Sequence, residues 1–148
     1  MSDADPSDPA VLVSDRQTEP IDIEDLVELA RTTLRGEGVD RAELSLSFVE
    51  EAEIAALHER FLGEPGPTDV LSFPLDPDDV DERGVRVLGD VVVAPSVAAR
   101  NRPDDPHAEL RLLVVHGILH LLGHDHDDDA KRAEMWARQE RYSGVRSP

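Results

Sequence analysis

Residues 114–126 read Val-Val-His-Gly-Ile-Leu-His-Leu-Leu-Gly-His-Asp-His, and four of the chain's six histidines fall inside them: His116, His120, His124 and His126. The surrounding stretch, Ala108 to Leu122, is apolar almost all round, the pattern of a central helix buried on several sides. His116 and His120 are four apart on that helix, so their side chains project from one face about a turn from each other. That spacing suits two nitrogens on one metal ion. Gly123 stands where the helix ends, and a left-handed glycine there turns the chain back toward the helix face. His126, three residues on and within about 10 Å of chain reach, can supply a third nitrogen. His124 competes for that place. On a continued helix it would stand about 12 Å along the axis from His116, too far for ligands at about 2.1 Å from one ion. On a terminated helix it follows the turn directly, with little chain to return. Geometry favours His126.

An isolated histidine in an apolar helix is ordinarily a core residue bonded to backbone. Three at H-x3-H-x5-H around a glycine are another matter, because burying several imidazoles has an unfavourable desolvation term that a metal offsets. The spacing also matches the zincin pattern H-E-x-x-H-x-x-G-x-x-H, whose Glu activates water for peptide hydrolysis. Gly117 occupies the Glu position here. The ligand set is kept and the general base is lost, which disfavours peptide hydrolysis. Three neutral imidazoles leave the ion its full charge and a fourth position open, a site suited to a phosphodiester.

Composition narrows the field further. The chain has 148 residues, a formal charge of -18 and no cysteine. Its length supports one domain, and any metal must be held by His, Asp or Glu. No apolar run of membrane-spanning length occurs, and the start, Met1 to Ala10, lacks the basic and apolar regions of a secretion signal, so a cytoplasmic protein without membrane attachment is expected. The acidic balance repels phosphate in general, so a nucleic-acid partner must be held locally. The five aromatics are scattered, which argues against a broad stacking platform.

Working outward, residues 1–9 are expected to be a disordered acidic tail, residues 10–144 a single domain, and 145–148 a frayed end. Strands are expected at Val11–Val13, Glu43–Val49, Thr68–Phe73 and Val87–Ala94. Helices are expected from Ile21 to Leu34, stopped by Gly36, from Glu50 to Phe61, in a short piece opened by Pro95, from Ala108 to Leu122, and from about Ala130 to Tyr142. The acidic run Asp127 to Asp129 reads as a solvated helix start whose charge suits the helix dipole.

Three blocks in this order are similar to one family. His116-Gly117-Ile118-Leu119-His120-Leu121-Leu122-Gly123-His124-Asp125-His126 resembles the H-G-x-L-H-L-x-G-x-D-H signature of the YbeY family, bacterial endoribonucleases of ribosomal RNA maturation. Pro67-Thr68-Asp69-Val70-Leu71-Ser72-Phe73-Pro74 resembles its second block and Leu88-Gly89-Asp90 its third. The resemblance implies an α+β fold, a small mixed four-stranded sheet packed with about five helices and a zincin-like site on a central helix. It further implies one Zn2+ per chain on His116, His120 and His126, hydrolysis of single-stranded ribosomal RNA, and work on the ribosomal small subunit in 3′-end maturation and late quality control. Two positions depart from the pattern. His124 stands where the family often has Tyr, and Leu62 follows Phe61 where many members carry Arg. Arg60 is the nearest substitute for that arginine, but two residues along a helix points about 200° around it.

The remaining candidates carry two readings each. Thr68, Asp69 and Ser72 either contact RNA or cap and order strand ends. Asp90 and Asp125 either accept a ligand imidazole N–H, fixing its tautomer, or are solvated turn carboxylates. Two other functions compete: a peptidase or esterase on the same ligand set, and a ribosome-associated factor with a structural zinc. Attack on phosphorus by a zinc-bound water and attack by the ribose 2′-OH remain open alternatives.

Overall fold

The computed structural model describes residues 8–76, 78, 80–125 and 127–146. Four strands, β1 (Ala10–Arg16), β2 (Ala42–Val49), β3 (Val70–Pro74) and β4 (Arg86–Val93), form one sheet in the order β1-β2-β4-β3. β1, β2 and β4 run parallel, and β3 pairs antiparallel with β4. Five helices complete the α+β fold: α1 (Ile23–Gly36), α2 (Glu51–Leu62), α3 (Pro95–Asn101), α4 (Pro106–Leu121) and α5 (Asp129–Ser143). No described helix is long and apolar enough to cross a membrane.

Strand alternation decides where each layer goes. β2 sends Leu44, Leu46 and Phe48 to one face, β4 adds Val91 and Val93, and all pack with Leu26, Ala30 and Leu34 of α1 and with Leu110, Leu113, Val114 and Ile118 of α4. Each large side chain fully buried there contributes about 2 kcal/mol. Val92 points the other way, into a smaller cluster with Ile54 of α2, Leu71 and Val97. α4 is buried round most of its circumference because α5 covers its far side through Val115, Leu119 and Met135.

Helix ends explain where the boundaries differ from the sequence reading. α4 begins at Pro106 rather than Ala108, since Asp105 caps it by accepting from the Ala108 N–H at 3.1 Å and proline fits the first turn. α1 begins at Ile23, capped by Asp22. Gly36 does not stop α1; it is its last residue, and the ring of Tyr142 occupies the space a Cβ would need. At the chain ends, residues 1–7 and 147–148 lie outside the described residues; Asp8 accepts from Arg35, Pro9 is buried, and the Val145 N–H donates to Ser143 Oγ at 3.0 Å.

Two contacts lock α4. At Gly117 the helix lies so close to the sheet that a Cβ would come within 2.6 Å of Val91 Cγ1 and 3.3 Å of Val70 Cγ2. Beyond its C-terminus, Glu37, next after α1, has a carboxylate only 6% exposed. It accepts from His124 Nε2 at 2.6 Å, Arg138 at 2.6 Å and the Tyr142 hydroxyl at 2.7 Å. Burial alone would push this carboxyl up, but the hydrogen bonds from Tyr142, His124 and Arg138 outweigh it and hold the group below the usual carboxylate range.

Two outcomes are expected. A carboxyl lowered in the folded state stabilises the fold at neutral pH and loses that contribution as pH falls through and below the ordinary carboxylate range. Glu37→Gln should therefore cost about 2 kcal/mol at pH 7 and flatten the acid limb of stability, measured by denaturant unfolding across pH. Gly117→Glu should prevent α4 from docking and lower the melting temperature by 10 °C or more, roughly the effect of 3 kcal/mol of overpacking.

Candidate metal centre and cleft

The two helical histidines are placed by how α4 is held and how it ends. Ser72 Oγ on β3 donates to the Gly117 carbonyl at 2.9 Å, tying the strand to the helix between His116 and His120. At the C-terminus the Gly123 N–H reaches the His120 carbonyl and the His124 N–H the Leu119 carbonyl, both at 3.0 Å, with Gly123 at φ +99°. This is a Schellman ending with a left-handed glycine, the helix stop that the sequence implied. The rings of His116 and His120 then stand 5.2 Å apart between centroids, inclined at 60°. Both line a cleft of about 440 Å³ whose other walls are Phe61 and Leu62 at the end of α2 and Val70 to Phe73 of β3.

His116 is oriented from behind. Its Nδ1 lies 2.8 Å from Gln139 Oε1, on α5. An amide oxygen only accepts, so Nδ1 carries the proton and the Nε2 lone pair is left free. Gln139 is 4% exposed, so this support is built into the helix packing. Sequence reasoning missed Gln139. Its signal was a polar residue four positions after Met135 on the inward stripe of α5, where an apolar residue would be expected.

His124 is directed elsewhere: its Nε2 is on Glu37, not in the cleft. His126, the expected third ligand, lies outside the described residues. Among the described residues no three His, Asp or Glu side chains converge as a metal-holding group. The donor chemistry of His116 and His120 fits a borderline cation such as Zn2+, two imidazoles a helical turn apart with one lone pair already exposed by its partner.

The other candidates are distributed around this pair. Ser72 is a tether between β3 and α4. Asp69 accepts from Asn101 Nδ2 at 3.3 Å and its carbonyl from the Ala94 N–H; it also lines a smaller cavity of about 200 Å³ with Glu109, Gln139 and the back of His116. Thr68 is half-buried just ahead of β3. Asp90 is exposed on β4 next to Val91, and since Val91 faces Gly117, strand alternation turns Asp90 to the opposite side of the sheet. The structure does not bring it to His116. Asp125 accepts from the Asp127 N–H at 3.2 Å and shapes the loop after α4. Arg60 is exposed, with its guanidinium carbon 5.2 Å above the centre of the Phe61 ring, and Leu62 itself faces the cleft.

The site chemistry now has counterparts. A sequence model described as Endoribonuclease YbeY matches residues 12–144. The chain is 47% identical over 133 residues to an Endoribonuclease YbeY of Acidothermus cellulolyticus, covering 80% of this chain and 81% of that protein. It is 47% identical over 130 residues to one of Thermobifida fusca, with 81% and 83% covered. A solution structure from Thermotoga maritima superposes with a TM-score of 0.58 at 30% identity, covering 90% of this chain and 86% of that one. With its α+β architecture, its paired helical histidines and this match over nearly its whole length, the chain belongs to the Endoribonuclease YbeY family.

Proposed function

We propose that this chain is a zinc-dependent endoribonuclease specific for single strands, acting in the cytoplasm on the 3′ end of small-subunit ribosomal RNA and in late quality control of the ribosomal small subunit. His116, His120 and His126 would hold one Zn2+. The observation that carries the reading is the pair of imidazoles opening into one cleft, His116 with its tautomer set by Gln139. When bound, the ion supplies a positive charge that acidifies water and neutralises charge on a phosphodiester.

The chain's own residues do the rest. Gln139 holds the Nδ1 proton of His116, so the ring keeps one orientation and one basic nitrogen. Leu62, Val70 and Leu71 present apolar surface beside the histidines, which lowers the local dielectric and strengthens any charge acting on the phosphate. A flexible strand can follow such a cleft with its bases unpaired, as single-strand binders require.

The rivals fare worse on particular observations. A peptidase of the zincin kind needs a carboxylate at position 117, where the Val91 contact leaves no space even for a methyl group. A structural zinc is normally closed by four protein ligands, whereas His116 and His120 line an open cleft.

The deciding measurement is zinc content together with RNA cleavage on purified protein. His120→Ala, stably folded, is expected to lose both; cells that carry it and still process ribosomal RNA would favour the structural factor. Product ends separate the two chemistries: a 5′-phosphate with free 2′- and 3′-hydroxyls or a 3′-phosphate formed directly marks attack by water, and a 2′,3′-cyclic phosphate marks attack by the ribose 2′-OH. Gln139→Leu is expected to keep the fold and weaken zinc affinity about 10- to 100-fold, read by competition with a chromogenic chelator.

A further inference from the structure

Among the exposed large apolar side chains, Phe61 is the aromatic one that stands on the cleft. It is a large aromatic residue left 55% exposed at the end of α2, on the wall of the cleft that holds His116 and His120. Its ring is not loose: it packs edge-on against Phe73 of β3, 5.3 Å between centroids at 66°. On it rests Arg60, whose guanidinium carbon is 5.2 Å from the ring centre. Many of the other arginines are held by carboxylates, as Arg16 by Glu53, Arg83 by Asp81 and Arg138 by Glu37. Among the described residues Arg60 makes no ion pair with a carboxylate, so in a chain of charge -18 it keeps an available cation against the Phe61 ring, which itself lines the cleft.

A fixed aromatic ring with exposed surface, a guanidinium against it and a phosphodiester site alongside is the composition of a single-strand stacking subsite. We infer that Phe61 stacks one unpaired base next to the scissile phosphate while Arg60 contacts a neighbouring phosphate. This rests on the reading that the cleft takes RNA. Stacking is tolerant of base identity, since every base has a π face. The subsite therefore positions the strand along the cleft and contributes mainly to substrate binding.

The test uses the full-length zinc-loaded protein and a single-stranded oligoribonucleotide carrying 2-aminopurine beside the cleaved linkage. Phe61→Leu keeps apolar bulk but removes the ring; it is expected to raise KM about tenfold, leave kcat within about twofold, and abolish the fluorescence quenching seen on binding. Phe61→Tyr should restore both. Arg60→Gln should reduce the slope of log affinity against log salt by about 0.7. In the unsubstituted protein, 5-iodouridine at the same position should photo-crosslink to Phe61, a readout that does not depend on any variant folding. Unchanged KM and quenching in Phe61→Leu, or crosslinks that avoid Phe61 while RNA is cleaved, would overturn the stacking role and leave the nuclease reading standing. Unsubstituted protein that neither binds nor cleaves the oligonucleotide would overturn both.

Discussion

The seating of α4 against the sheet at Gly117 governs the geometry of this molecule. The helix offers no side chain of its own there, so the rotation of α4 about its axis is fixed by the Val91 and Val70 side chains packed against the Gly117 backbone and by the Ser72 hydrogen bond to the Gly117 carbonyl. Once that rotation is set, His116 and His120 have one direction available, the cleft between β3 and the end of α2. The glycine in the histidine motif is thus a packing requirement. It also explains why this histidine spacing does not carry a zincin's carboxylate: the position that would bear it points into the sheet.

Support for the histidines comes from α5, an element whose amphipathic pattern says little about chemistry. Gln139 is a buried amide on the helix that packs Met135 with Leu29, Val115 and Leu119, and its oxygen selects the proton position on His116. Such a contact fixes which ring nitrogen is protonated and so which one is left basic and facing the cleft.

Much of the fold was legible from residue patterns. Leu44, Leu46 and Phe48 alternate with polar residues and form the central strand β2; the all-round apolarity of α4 anticipated its burial between sheet and α5; Gly123 ended the helix as expected. What stayed hidden depended on tertiary approach. Gly36 looked like a helix stop because its partner Tyr142 is more than a hundred residues away in sequence. Asp90 sat in a family block that suggested the site, but the face it occupies follows from its register on β4. Gln139 and the exposed stack of Phe61 on Phe73 emerge only when α2, β3, α4 and α5 are assembled.

The buried carboxylate of Glu37 gathers donors from the turn after α4 and from two successive turns of α5, and attaches them to the end of α1. Because it is shielded from solvent, mobile ions screen it far less than they screen the pairs on the outside. Cohesion between these helices is consequently decoupled from surface acidity. Added salt should loosen the outer pairs, such as Arg16 with Glu53, well before it reaches this internal anchor.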